Sequence, residues 1–178
     1  MRKSILIMKS LVVIAALSIV SCNTDDGIQC PDALTGDLSA TETEFSGSYK
    51  LVAMEADEAI DLTEDNTDNP MTDVFAQYTA CDRDLVYKFM SNRNLEYLQG
   101  YSAVDCTNKL TFPGTWNLIG NDLTLVANCS SQRIMIEKSA EGDKFSYDAI
   151  LHFRDVNGAS KTIKVKFTFD KTVNVQPV

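Results

Sequence analysis

The residues of this chain whose types could do chemistry are five cysteines, one histidine and a run of carboxylates between positions 55 and 82. Cys22, Cys30, Cys81, Cys106 and Cys129 offer thiols for disulfides, for a metal or for modification. A zinc site is disfavoured because the chain has no C-x-x-C and His152 is its only histidine. Alternation places His152 on the solvent face of its strand with Asp148 and Arg154, and no serine or cysteine stands in a recognisable nucleophile elbow, so no catalytic residue is assigned. Glu55, Asp57, Glu58, Asp61, Glu64, Asp65, Asp68, Asp73 and Asp82 occur with no basic residue between Lys50 and Arg83. Oxygen ligands on a flexible loop suit calcium. The EF-hand spacing with its central glycine is missing, so the run reads as a solvated acidic loop and neither metal nor cofactor is expected.

The N-terminus gives Cys22 a different chemistry. Arg2, Lys3 and Lys9 precede an apolar block, Leu11 to Val20, and no acidic residue occurs before Asp25. The block is about half the roughly 20 apolar residues that a membrane-spanning helix needs, so residues 1–21 read as a secretory signal peptide. Ile19-Val20-Ser21-Cys22 resembles the lipobox of bacterial lipoproteins. The resemblance implies that the Cys22 thiol is acylated and becomes the new N-terminus, anchoring the protein in the membrane by several acyl chains. Asn23-Thr-Asp-Asp-Gly27 further resembles the acidic signal that sends some Bacteroidota lipoproteins to the cell surface. An outer-membrane lipoprotein is expected, on the periplasmic face or the cell surface.

Taking Cys22 out leaves four cysteines, an even set suited to an oxidising compartment. Four allow three pairings. Cys81 stands just before a predicted strand and Cys106 just after that strand's hairpin partner, which favours Cys81 with Cys106 and leaves Cys30 with Cys129. Removal of the first 21 of 178 residues leaves 157, enough for one domain with one core. Loss of the three basic leader residues takes the net charge from −9 to −12, which argues against a nucleic-acid partner.

Residues 22–44 are poor in large apolar side chains and read as an acidic, flexible tether, with the domain occupying 45–178. Period-two alternation predicts strands at 50–55, 85–90, 95–101, 115–119, 122–127, 133–138, 145–153 and 162–169. The last is the clearest, with Ile163, Val165, Phe167 and Phe169 on one face and Lys164, Lys166 and Thr168 on the other. Gly120-Asn121 and Asn157-Gly158 are two-residue turn signals. Eight strands joined by turns predict an all-β fold, an antiparallel up-and-down barrel, whose closure removes exposed edges. A short helix is predicted around 72–78, in the long first connection.

Gly47-Ser-Tyr49, the acidic first loop, Cys81 to Phe89, Cys106, and Gly114-Thr-Trp-Asn-Leu118 ahead of Leu123-Thr-Leu125 together resemble the lipocalin-like lipoprotein domains of Bacteroidota over residues 45–170. True lipocalins carry Trp in the first glycine-x-aromatic, where this chain has Tyr49. The resemblance implies a barrel whose open end admits a small hydrophobic or amphipathic ligand. It supplies no catalytic pattern, and an enzyme is not expected.

Alternation points Tyr87, Phe89, Tyr97, Tyr101, Trp116, Tyr147, Phe153, Phe167 and Phe169 largely to one face, the barrel interior. Of these, Tyr87, Phe89, Tyr97, Tyr101, Trp116, Tyr147 and Phe167 are the ligand-binding candidates. The alternative is a filled barrel that offers its surface, or acidic loop 56–80, to an envelope protein or a glycan.

Overall fold

The computed structural model describes residues 29–63, 67–154, 158 and 160–172. Cys22, the leader, the start of the tether, Glu64, Asp65 and Asn157 lie outside the described residues.

The chain forms a nearly closed antiparallel barrel. Its strands are β1 (Gly47–Ile60), β2 (Met71–Asp73), β3 (Leu85–Phe89), β4 (Asn94–Gln99), β5 (Leu110–Ile119), β6 (Asp122–Ala127), β7 (Ser130–Met135), β8 (Glu137–Lys138), β9 (Lys144–Arg154) and β10 (Ser160–Thr172). The order β7-β6-β5-β4-β3-β1-β10-β9-β8 is the expected meander, with β1 against β10 joining the first strand to the last. Among the described residues ten strands are present, not eight, for two reasons. Short β2 pairs with the far half of β1. The strand predicted at 133–138 is divided at buried Ile136, so that β7 pairs with β6 while β8 pairs with β9. That one segment therefore changes partner midway and brings the two ends of the sheet together.

Alternation holds along most strands, but β1 breaks it. Tyr49 and Leu51 point inward, then the register against β10 shifts between Leu51 and Ala53, and Met54 and Ala56 take over the inner face. A bulge inserts one residue and so exchanges the faces. It leaves Val52 outside and keeps all 14 residues of β1 usable as wall.

Residues from Cys30 onward, expected as tether, are part of the packed domain. Cys30 bonds Cys129 at the β6–β7 turn, Leu34 N–H donates to Thr115 Oγ1 (2.9 Å), and the carbonyls of Gly36 and Asp37 accept from Arg93 (both 2.8 Å). The segment then enters α1 (Ala40–Phe45), with Ser39 and Glu42 forming a capping box. Phe45, the last residue of α1, closes one end of the barrel, its ring 5.0–6.0 Å from those of Tyr49, Phe89, Trp116 and Phe145. The second helix, α2 (Val74–Gln77), falls within the predicted 72–78 and is capped by Asp73. Buried Val74 packs it against the core.

The second disulfide joins Cys81 to Cys106, so both bonds have the favoured pairing. Two such bonds place the chain in an oxidising, non-cytoplasmic compartment. Among the described residues no helix is long and apolar enough to cross a membrane.

Candidate functional site

The two ends of the barrel differ. At one, the β3–β4, β5–β6 and β8–β9 turns gather around α1; at the other lie the described parts of connection 61–84, connection 100–109 and the Asn128-Cys129 turn. The α1 end is sealed. Tyr49, Phe89, Trp116, Phe145 and Phe169 are fully buried there, Tyr49 donating to the Phe45 carbonyl (2.9 Å) and Trp116 Nε1 to the Met90 carbonyl (3.1 Å).

Beneath this aromatic layer sits a buried ion pair. Arg93 holds both carboxylate oxygens of Glu42, through Nη1 at 2.7 Å and Nη2 at 3.0 Å, and Leu118 N–H adds a third donor at 3.1 Å. The Arg93 hydrogen bond, with smaller help from the backbone of Ser39 and Leu118, overcomes burial and lowers the Glu42 pKa from 4.5 to about 2. Every polar atom of this cluster points at the strap 34–42 or at the barrel wall, so its work is to hold the plug.

Toward the other end Ala56, Ile60, Leu85, Leu151, Ile163 and Val165 stay buried, and accessibility is confined to a strip of the inner face on β3, β4, β5 and β9. Tyr87 on β3, Tyr97 on β4 and Tyr147 on β9 are half-buried although wall strands surround them. Tyr87 stands directly across from Tyr97, their rings 5.2 Å apart and edge to face. Tyr147 stacks on Phe167 at 5.3 Å. One step further out, Phe112 and Leu110 share the inner face of β5 with Trp116, yet they are 38% and 44% exposed. These partly accessible inward side chains form one side of a shallow cup that runs from Leu110 to the Tyr87 ring.

The cup is uncharged and carries phenols. Burial pushes the Tyr87 and Tyr97 hydroxyls well above the usual range and that of Tyr147 up to about 12. The Tyr87 and Tyr147 hydroxyls lie near enough to perturb each other. All three therefore stay protonated near neutrality and can donate or accept a hydrogen bond against an apolar ring surface.

The sequence-predicted candidates separate along this gradient. Tyr87, Tyr97 and Tyr147 line the cup; Phe167 is buried beside Tyr147; Phe89 and Trp116 belong to the sealed layer. Tyr101 lies outside the interior, on the rim, where Thr111 Oγ1 donates to its hydroxyl (3.0 Å) and Lys109 Nζ sits 5.5 Å from its ring. Phe112 and Leu110 were missed because Pro113 and Gly114 interrupt the alternation that begins again at Thr115. Gly114 is required where β5 and β6 approach: a Cβ there would collide with the Val126 carbonyl oxygen.

His152 lies on the outer face, hydrogen-bonded through Nδ1 to Thr162 Oγ1 (2.8 Å). In the acidic loop, Asp61 accepts from Thr63 N (2.9 Å), Thr63 Oγ1 (2.8 Å) and Asn69 N (3.2 Å). Its carboxylate is thus used in closing the loop. Among the described residues no three His, Cys, Asp or Glu side chains gather in a metal-holding group.

Residues 23–172 match the family model described as Domain of unknown function (DUF5004). The chain belongs to that family. Curated proteins yield no match. The match begins at residue 23, so this DUF5004 domain includes the strap and α1 as well as the barrel. The cup and its plug are thus both within the span of the family model.

Proposed function

We propose that this DUF5004 protein is a lipid-anchored, lipocalin-like lipoprotein of the cell envelope that holds a small hydrophobic or amphipathic molecule in the open half of its barrel. The observation that supports the reading is the strip of partly accessible inner face at Tyr87, Tyr97, Tyr147, Phe112 and Leu110, set against the closed floor at Phe45 and Trp116. Aromatic walls supply apolar contact, and neutral phenols supply a few oriented polar contacts, the composition of small-molecule sites in general. The role is binding, without catalysis. Acylation of Cys22 would keep the site beside the membrane, with the outer membrane as its place.

The test is native mass spectrometry of the chain purified without reductant, together with titration by a hydrophobic fluorescent probe. The reading predicts a co-purified small molecule or saturable one-to-one probe binding, weakened by Tyr97→Ala and by Phe112→Ala. A bare mass with no saturable binding contradicts it.

A further inference from the structure

The geometry points to a second contact with lipid: the rim of the barrel mouth docks on the bilayer, so that the cup opens onto the acyl phase. The inference rests on the lipid-anchored reading and concerns which end of the barrel meets the membrane.

Two independent features lie at the same end. The first is where the chain enters the domain. Cys30 is bonded to Cys129, in the β6–β7 turn at the mouth, and from there the strap runs to Arg93 at the sealed end. Cys30 lies eight positions after Cys22, a reach of at most about 29 Å when fully extended. An anchor on Cys22 therefore pulls on the mouth and leaves the sealed end facing away.

The second feature is the β4–β5 connection. Val104, beside exposed Asp105, is 82% exposed near its tip, and Tyr101, Leu110 and Phe112 are partly exposed between it and the cup. The loop is held at its base and not free to fold over. Asp84 accepts from Ser102 N (2.5 Å) and Ala103 N (3.0 Å), Gly100 N–H donates to the Asp84 carbonyl, and the Cys81–Cys106 bond fixes the other side. The loop is fixed, so Val104 stays presented to whatever lies outside this chain. Tyr101 with Lys109 beside its ring suits the boundary between headgroups and acyl chains, where tyrosine concentrates and lysine reaches outward. Asp68, Asp73 and Asp82 lie in the neighbouring connection, so anionic lipid would be repelled and a zwitterionic leaflet fits.

The experiment uses the full acylated chain in vesicles of phosphatidylethanolamine and phosphatidylcholine carrying brominated acyl chains, which quench tryptophan on contact. Val104→Trp reports on the rim; Ile119→Trp reports on an equally solvent-facing position at the sealed end, 72% exposed. Trp116 is buried and sets the baseline in the parent chain. Docking predicts loss of most of the added emission in Val104→Trp and none in Ile119→Trp. Equal loss in the two variants, greater loss in Ile119→Trp, or no loss in Val104→Trp overturns it. The mass of the N-terminal peptide reads acylation separately. If Cys22 carries no acyl chain, the anchor reading falls, and the same quenching comparison on chain mixed with vesicles decides the docking by itself.

Discussion

The Arg93 side chain makes five hydrogen bonds, and its sequence context, Ser-Asn-Arg-Asn, looks like any polar hairpin turn. Its φ of 66° swings it inward to Glu42, 51 residues earlier in the chain. Removal of one partner from a buried pair leaves an uncompensated charge, so Arg93→Ala should lower unfolding free energy by roughly 3–5 kcal/mol in a urea titration. Arg93→Lys should recover only part of this, because a single ammonium cannot hold both carboxylate oxygens. The pair also sets a pH dependence. The folded pKa of Glu42 is about 2 against 4.5 unfolded, so its contribution is fully present above pH 4.5 and is lost as pH falls toward 2. The loss amounts to roughly 3 kcal/mol. Glu42→Gln should flatten that part of the stability profile; an unchanged acid limb would show that other carboxylates control it. Local pattern carried none of this, because turn chemistry specifies Asn92 and Asn94 but not a partner 51 residues away.

At the scale of elements, the strands were legible because each has one face in the core, and Ile163 to Phe169 on β10 obey strict alternation. What escaped were departures from alternation, namely the β1 bulge at Val52 and the switch of partner at Ile136, since both answer to barrel closure and not to the local sequence. The strap escaped for the opposite reason. It has few apolar side chains and is held instead by a disulfide, backbone carbonyls and Phe45. The two disulfides should differ in worth. On the loop-entropy account a bond across a separation of 99 stabilises by about 4.7 kcal/mol and one across 25 by about 3.5 kcal/mol. Cys30→Ser/Cys129→Ser should therefore lower the denaturation midpoint more than Cys81→Ser/Cys106→Ser, measured by calorimetry without reductant. Gly114→Val should be more damaging than either, because the Val126 carbonyl must move to admit it and the β5–β6 ladder with it; a folded Gly114→Val variant with parental stability would show that the two strands can separate freely.

For the whole molecule, the net charge is −9, and on the described outer faces lysines pair with carboxylates, as Lys166 does with Glu137 (2.6 Å) and Lys144 with Asp170 (3.2 Å). The interior carries the asymmetry that matters, a rigid aromatic floor and an accessible tyrosine cup. That distinction was not legible in the sequence, where Phe89 and Tyr87 differ by two positions and both simply face inward. Volume depends on how α1 fills one end, and α1 lay in a stretch with no strand pattern. The most direct measurement is tyrosine-selective NMR of the labelled chain during titration with the hydrophobic probe, since the six tyrosines sample every region of the barrel. Saturable shifts at Tyr87, Tyr97 and Tyr147, with Tyr49 in the sealed floor unmoved, are the predicted result. Shifts confined to Tyr101 on the rim, or none at any of the three cup tyrosines, would contradict a ligand site inside the barrel.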